Sequence, residues 1–161
     1  MENQIDLKYF YGLLALPYAN MSQYQSGPSA SAVDTEQAEI DRYIKRYQKE
    51  FFVKLFGSDA IPDVEGVAEL LVDEETLVSP IANYVFCQVL PIYQSRATLA
   101  GEELKGNDNG QRTNYSDKYC MAWNDLVRMC ADIRDVIYSA GLHDTYPTNE
   151  NDDIYKFKYI V

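Results

Sequence analysis

Residues 79–92, SPIANYVFCQVLPI, decide the fold. Ser79 is a strong helix N-cap, and the fixed φ of Pro80 suits the first helical position. Positions 81–92 are apolar almost all round, and a helix of that kind is buried on most of its sides. It needs other helices around it. Pro91 lacks an N–H and clashes with the carbonyl four residues back, that of Cys87, so a kink or break is expected there. Asn83 is the polar exception inside the run. An unbonded buried amide destabilises by about 1–3 kcal/mol. Asn83 is therefore expected to bridge this helix to a neighbouring backbone or to Asn124, and Asn124 itself to face solvent.

Two long amphipathic helices flank this run. The first is expected over 35–56, with Asp34 as N-cap and Gln37 as its capping-box partner. Ile40, Tyr43, Ile44, Tyr47, Phe51 and Leu55 share one face, while Glu39, Arg42, Lys45, Arg46, Lys49 and Glu50 take the other. Asp41–Lys45 and Glu50–Lys54 are favourable i,i+4 pairs, and Gly57 supplies the stop. The last helix is expected over 114–140, ending at Gly141, with Tyr115, Tyr119, Trp123, Leu126, Cys130, Ile133 and Ile137 in one stripe. A short helix over 63–72 completes a mainly α bundle of about four helices. The expected structural core includes Ile44, Phe51, Leu55, Ile81, Asn83, Val85, Trp123, Leu126, Cys130 and Ile133.

Three segments are less regular. Residues 5–18 are apolar and aromatic but interrupted by Gly12 and Pro17, so a short helix or an extended arm both fit, and 19–33 read as a flexible loop. Residues 99–113 hold Gly101, Gly106 and the turn dipeptide Asn109-Gly110, which suits a β-hairpin or loop. At the end, Tyr155, Phe157, Tyr159 and Val161 alternate with Lys156 and Lys158, a strand pattern. A lone strand has unpaired main-chain groups and needs the hairpin, the N-terminal arm or another chain. The organisation read from these features is an arm and loop over 1–33, a helical domain over 34–142, and a linker with a β-strand arm over 143–161. Deleting Ile154–Val161 is expected to leave the monomer folded while weakening its association with other chains.

The net charge is −11. It argues against gripping nucleic acid, which needs cations on phosphates, and against an anionic membrane. An acidic wall would let DNA pass without sticking. The chain has 14 tyrosines, whose apolar body and polar tip suit surfaces covered by another protein, and equally the edge of a core. Cys87, Cys120 and Cys130 have no metal or disulfide spacing and read as free thiols in a reducing compartment. The first eight residues lack the pattern of a signal peptide, and no apolar run has the length of a membrane span.

No constellation for catalysis stands out. His143, the sole histidine, follows the last helix beside Asp144, where the helix dipole favours a surface imidazole. Zinc lacks ligands, and the acidic runs at 73–75 and 150–153 match no calcium loop. Non-enzymatic, with no cofactor and no metal, is the expectation.

Residues 43–57 (YIKRYQKEFFVKLFG) resemble the first long helix of small head–tail connector, or adaptor, proteins of tailed bacteriophages and prophages of gut bacteria. The resemblance continues through 73–84 (DEETLVSPIANY), its most specific element, Gly101-Glu102, and 122–127 (AWNDLV). Residues 19–33, the acidic hairpin and the terminal strand depart from the family pattern. The resemblance implies a helical subunit that forms a homo-oligomeric ring below the portal protein. It would touch other connector or tail proteins, line part of the DNA channel without specific binding, and contact no membrane. Its place would be the virion neck, after assembly in the host cytoplasm. Subunit contacts are then expected at Tyr43, Tyr47, Tyr84, Tyr93, Glu102, Lys105, Tyr155, Phe157 and Tyr159. The rival class is a small acidic cytoplasmic regulatory or inhibitory protein, mimicking DNA charge.

Overall fold

The computed structural model describes residues 2–16, 19, 28–99, 115–142, 144–146 and 152–159. These form a mainly helical fold: α1 (Pro28–Phe56), α2 (Val67–Leu71), α3 (Pro80–Leu99) and α4 (Tyr115–Ser139), with short 3-10 turns at Leu7–Tyr9, Gly12–Leu14 and Asp153–Tyr155.

The central helix is α3. Ser79 starts it as expected: its hydroxyl accepts from the Ile81 N–H (3.2 Å) and donates to the Leu71 carbonyl (2.7 Å), tying the end of α2 to the start of α3. Every side chain from Ile81 to Cys87 is buried. Helix α1 covers one side, where the Phe51 and Tyr84 rings lie 5.4 Å apart, and α4 covers another, where Tyr84 and Trp123 lie 6.4 Å apart. The Asn83 amide donates to the Ala122 carbonyl at 2.8 Å inside the α3–α4 contact. This is the backbone bridge expected of it. All ten expected core side chains are buried.

Helix α4 ends as the sequence predicts. Gly141 has φ +73°, the Leu142 N–H returns to Ile137 (3.2 Å) and the Gly141 N–H to Tyr138 (2.9 Å). This is the Schellman arrangement, which glycine alone adopts without strain.

Several expectations are corrected. Helix α1 begins at Pro28 rather than Thr35, so residues 28–33 are helical and Asp34 lies inside the helix instead of capping it. Pro28 is well placed at a first helical position, and the alanines after it propagate the helix. Helix α2 begins only after Gly66, because that residue takes φ +89°, outside the helical region. Helix α3 continues through Pro91 without a break. Pro91 is exposed, and the turn beyond it is anchored to α1 by the Tyr93 hydroxyl, which donates to Glu36 (3.4 Å). Leu99 still belongs to α3, and the rest of the expected hairpin, residues 100–113, lies outside the described residues.

The expected C-terminal strand does not form. Residues 153–155 make a 3-10 turn, and among the described residues the only β pairing is an isolated antiparallel bridge between Asp73 and Val78. The tail runs back along α4 instead, from Arg134 toward Asn124.

Asn83→Ala is expected to lower stability by about 1–2 kcal/mol, the usual cost of losing a buried hydrogen bond. Urea unfolding should give a lower midpoint at an unchanged m value.

Candidate functional site: the tail and the groove beside the last helix

Residues 152–159 form a strap across α1 and α4. Asp152 pairs with Lys54 of α1 at 3.6 Å, and the Ile154 side chain is fully buried. Arg134 lies over the Tyr155 ring, 5.6 Å from its centroid. The Trp123 indole N–H donates to the Lys156 carbonyl at 2.9 Å. Asn124 then engages a single residue twice: its amide donates to the Lys158 carbonyl (2.9 Å) and its oxygen accepts the Lys158 N–H (2.8 Å). Asn124 thus does not simply face solvent. It does for the tail what a neighbouring strand would do, because its side-chain amide has the donor and acceptor spacing of a peptide group.

The other end of the chain is held in the same way. Gln48 of α1, 1% exposed, accepts the Gln4 N–H (2.7 Å) and donates to the Glu2 carbonyl (3.0 Å). Residues 2–16 then reach the turn at 73–78, where the Tyr11 hydroxyl donates to the Thr76 carbonyl at 2.8 Å. Leu77 in that turn has φ +56°, a strained conformation for a branched side chain. The turn is fixed by Asp73, which accepts the Thr76 hydroxyl and the N–H groups of Thr76 (3.0 Å) and Glu75 (2.9 Å). Those bonds, led by the Thr76 hydroxyl, hold the Asp73 carboxyl below the usual carboxylate range.

Between this turn, the N-terminal segment and α4 lies an apolar groove of about 370 Å³. Tyr11, Leu13 and Leu14 form one wall, Leu77 and Val78 another, and Met129 the α4 side. Arg128 sits at its rim, 2.6 Å from Asp125 and 6.0 Å from the centre of the Phe157 ring, so the groove and the tail border the same side chain. Sequence reading missed the groove because its walls come from three separate segments. The excess of apolar residues in 11–14 over what a polar-faced turn needs was the available signal.

The described residues among those expected at subunit contacts divide into three groups. Tyr47 and Tyr84 belong to the core and cannot meet a neighbour: they are 8% and 1% exposed. The Tyr84 hydroxyl donates to Glu50 at 2.7 Å, and burial, then this bond, pushes its pKa up. Tyr43, Tyr93 and Tyr155 are half-buried, Tyr43 being stacked on Tyr47 and bonded to Glu39 (2.9 Å). The Tyr155 hydroxyl is buried without a hydrogen-bond partner among the described residues. Only Phe157 (46%) and Tyr159 (80%) are openly exposed. Glu102 and Lys105 lie outside the described residues, as does His143.

Cys87 and Cys130 are buried and Cys120 half-buried, all three as free thiols; burial pushes the first two up in pKa. Among the described residues no cluster of His, Cys, Asp or Glu could hold a metal ion, and no helix is long and apolar enough to cross a membrane. Comparison of the chain with protein-family models, curated proteins and solved structures finds no match.

The burial of Ile154 in the core argues against the expectation that the monomer folds without residues 154–161. Ile154→Ala is expected to destabilise the monomer by about 2–5 kcal/mol, the cost of emptying a core site. Asn124→Ala should cost about 1 kcal/mol or less while speeding exchange of the Lys158 amide. Thermal melting and hydrogen exchange separate the two.

Proposed function

We propose that this chain is a structural subunit of a tailed-phage neck: a head–tail connector that assembles as a ring below the portal protein, its acidic surface letting DNA pass without sticking. The observation that carries this reading is the apolar groove and the exposed ring of Phe157, side by side across Arg128, with the exposed ring of Tyr159 two residues further along the tail. Contiguous exposed apolar surface of this kind marks a place to be covered by protein. Ring closure would use different patches of adjacent copies.

The stretches that resemble connector proteins support the same reading from inside. They supply Phe51, Tyr84, Asn83 and Trp123, which meet at the junction of α1, α3 and α4. They build a scaffold rather than a reaction centre, as a mechanical role requires.

One observation favours the rival class, a self-contained acidic binding protein. The tail satisfies its inward main-chain groups on its own α4, so that edge needs no second chain. Phe157→Ser with Tyr159→Ser removes exposed rings and leaves the core intact. In the connector reading, immunoelectron microscopy places the wild-type chain at the head–tail junction of released particles, and the double variant, folded by circular dichroism, is depleted from them. A chain confined to the cytoplasmic fraction in a one-to-one complex would overturn the proposal and favour the rival.

A further inference from the structure

Asn124 holds the N–H and the C=O of Lys158 together, and Trp123 holds the Lys156 carbonyl on the same side. A residue whose two main-chain groups point one way is extended, and in extended chain the groups of its neighbours point the opposite way. The N–H and C=O of Phe157 and the N–H of Tyr159 therefore face away from α4. None of these has a hydrogen-bond partner among the described residues. The tail is thus an extended segment whose inward groups are occupied, while the outward groups of Phe157 and Tyr159 have no partner among the described residues. Two exposed aromatic side chains alternate along it with two lysines.

We infer that the outer edge of residues 156–159 is a docking edge for an extended segment of another protein in which acidic and apolar residues alternate. A second copy of the tail is a poor occupant. Antiparallel self-pairing through the outward groups of Phe157 and Tyr159 sets Lys156 against Lys158, or Lys158 against itself. Like charges directly opposite destabilise a strand pair. Carboxylates at those positions, with apolar side chains against Phe157 and Tyr159, convert the same geometry into attraction. The net charge of −11 opposes an acidic partner only weakly at this place. Charges more than about 8 Å away are screened at physiological salt. Fixing the tail in advance lowers the ordering entropy that such strand addition costs. The inference does not depend on ring assembly, since a monomer would carry the edge as well.

The test is a titration of the isotope-labelled full chain with a capped peptide of alternating Val and Glu, followed by amide NMR. Two control peptides accompany it, one with Lys in place of each Glu and one N-methylated at each Val. The Phe157 and Tyr159 amides are expected to shift and to exchange more slowly with the parent peptide. Binding should fall about tenfold or more with each control, the worth of one hydrogen bond or charge pair. Phe157→Pro, which removes the outward N–H, should weaken binding while Phe157→Leu retains it. Unmoved amides at millimolar peptide would overturn the inference. So would an N-methylated peptide that binds as well as its parent, or a lysine peptide that binds equally.

Discussion

Helix α3 has no solvent face in its first two turns, and the rest of the chain is arranged to meet that constraint. One neighbour can hide only one side of a helix, so α1 and α4 take two sides, through Phe51 and Trp123 against Tyr84. The segments outside the long helices close what remains: the apolar N-terminal turns bury Tyr9 and Phe10, and the tail buries Ile154. Each large side chain withdrawn from water stabilises by roughly 1.5–3 kcal/mol. That gain is indifferent to register, whereas the Asn83 bond to Ala122 is not. The apolar surface sets how tightly the helices gather, and the amide sets which turn of α3 faces which turn of α4.

Covering a helix with irregular chain creates a second problem, because that chain has no ladder partner for its N–H and C=O groups. Side chains supply the missing partners. Gln48 holds the main chain at Glu2 and Gln4, Asn124 that of Lys158, Ser79 the Leu71 carbonyl and Asp73 the turn that follows it. Gln48, Asn124 and Ser79 project from a helix or from its cap, so rigid elements hold the less regular ones, and Asp73 folds its own turn. A small helical domain can in this way keep two extended ends without a sheet.

The same physics explains what could be read from the sequence. Core positions were legible because helical periodicity is local: Ile44, Phe51, Leu55, Leu126, Cys130 and Ile133 repeat at helical spacing and are all buried. Tyr84 was misassigned to a contact surface because its hydroxyl finds Glu50, a carboxylate on another helix with no local signature. The tail was misread as a paired strand because alternation reports an extended chain and is silent on what satisfies its edge. Asp34 looked like a cap because a cap residue is recognised by type, but Pro28 opens the helix earlier. The groove left no spacing signal at all, since its walls are brought together only by the fold.

Charge narrows where contact can occur. Copies of a chain with 25 acidic and 14 basic side chains repel one another, and they can meet only where like charge is least. On α4 and the tail, cations stand among aspartates and aromatic rings. Arg128, Arg134 and Lys158 each lie over an aromatic ring there, at 6.0, 5.6 and 5.1 Å from its centroid, and the two arginines are also paired with Asp125 and Asp135. The two arginines offset their aspartates, and the rings and the adjoining groove supply apolar surface. The net negative charge of the chain repels phosphates as it repels other copies. The exposed rings, the outward groups of the tail and the groove therefore lie around α4, the face that the proposed reading gives to a partner.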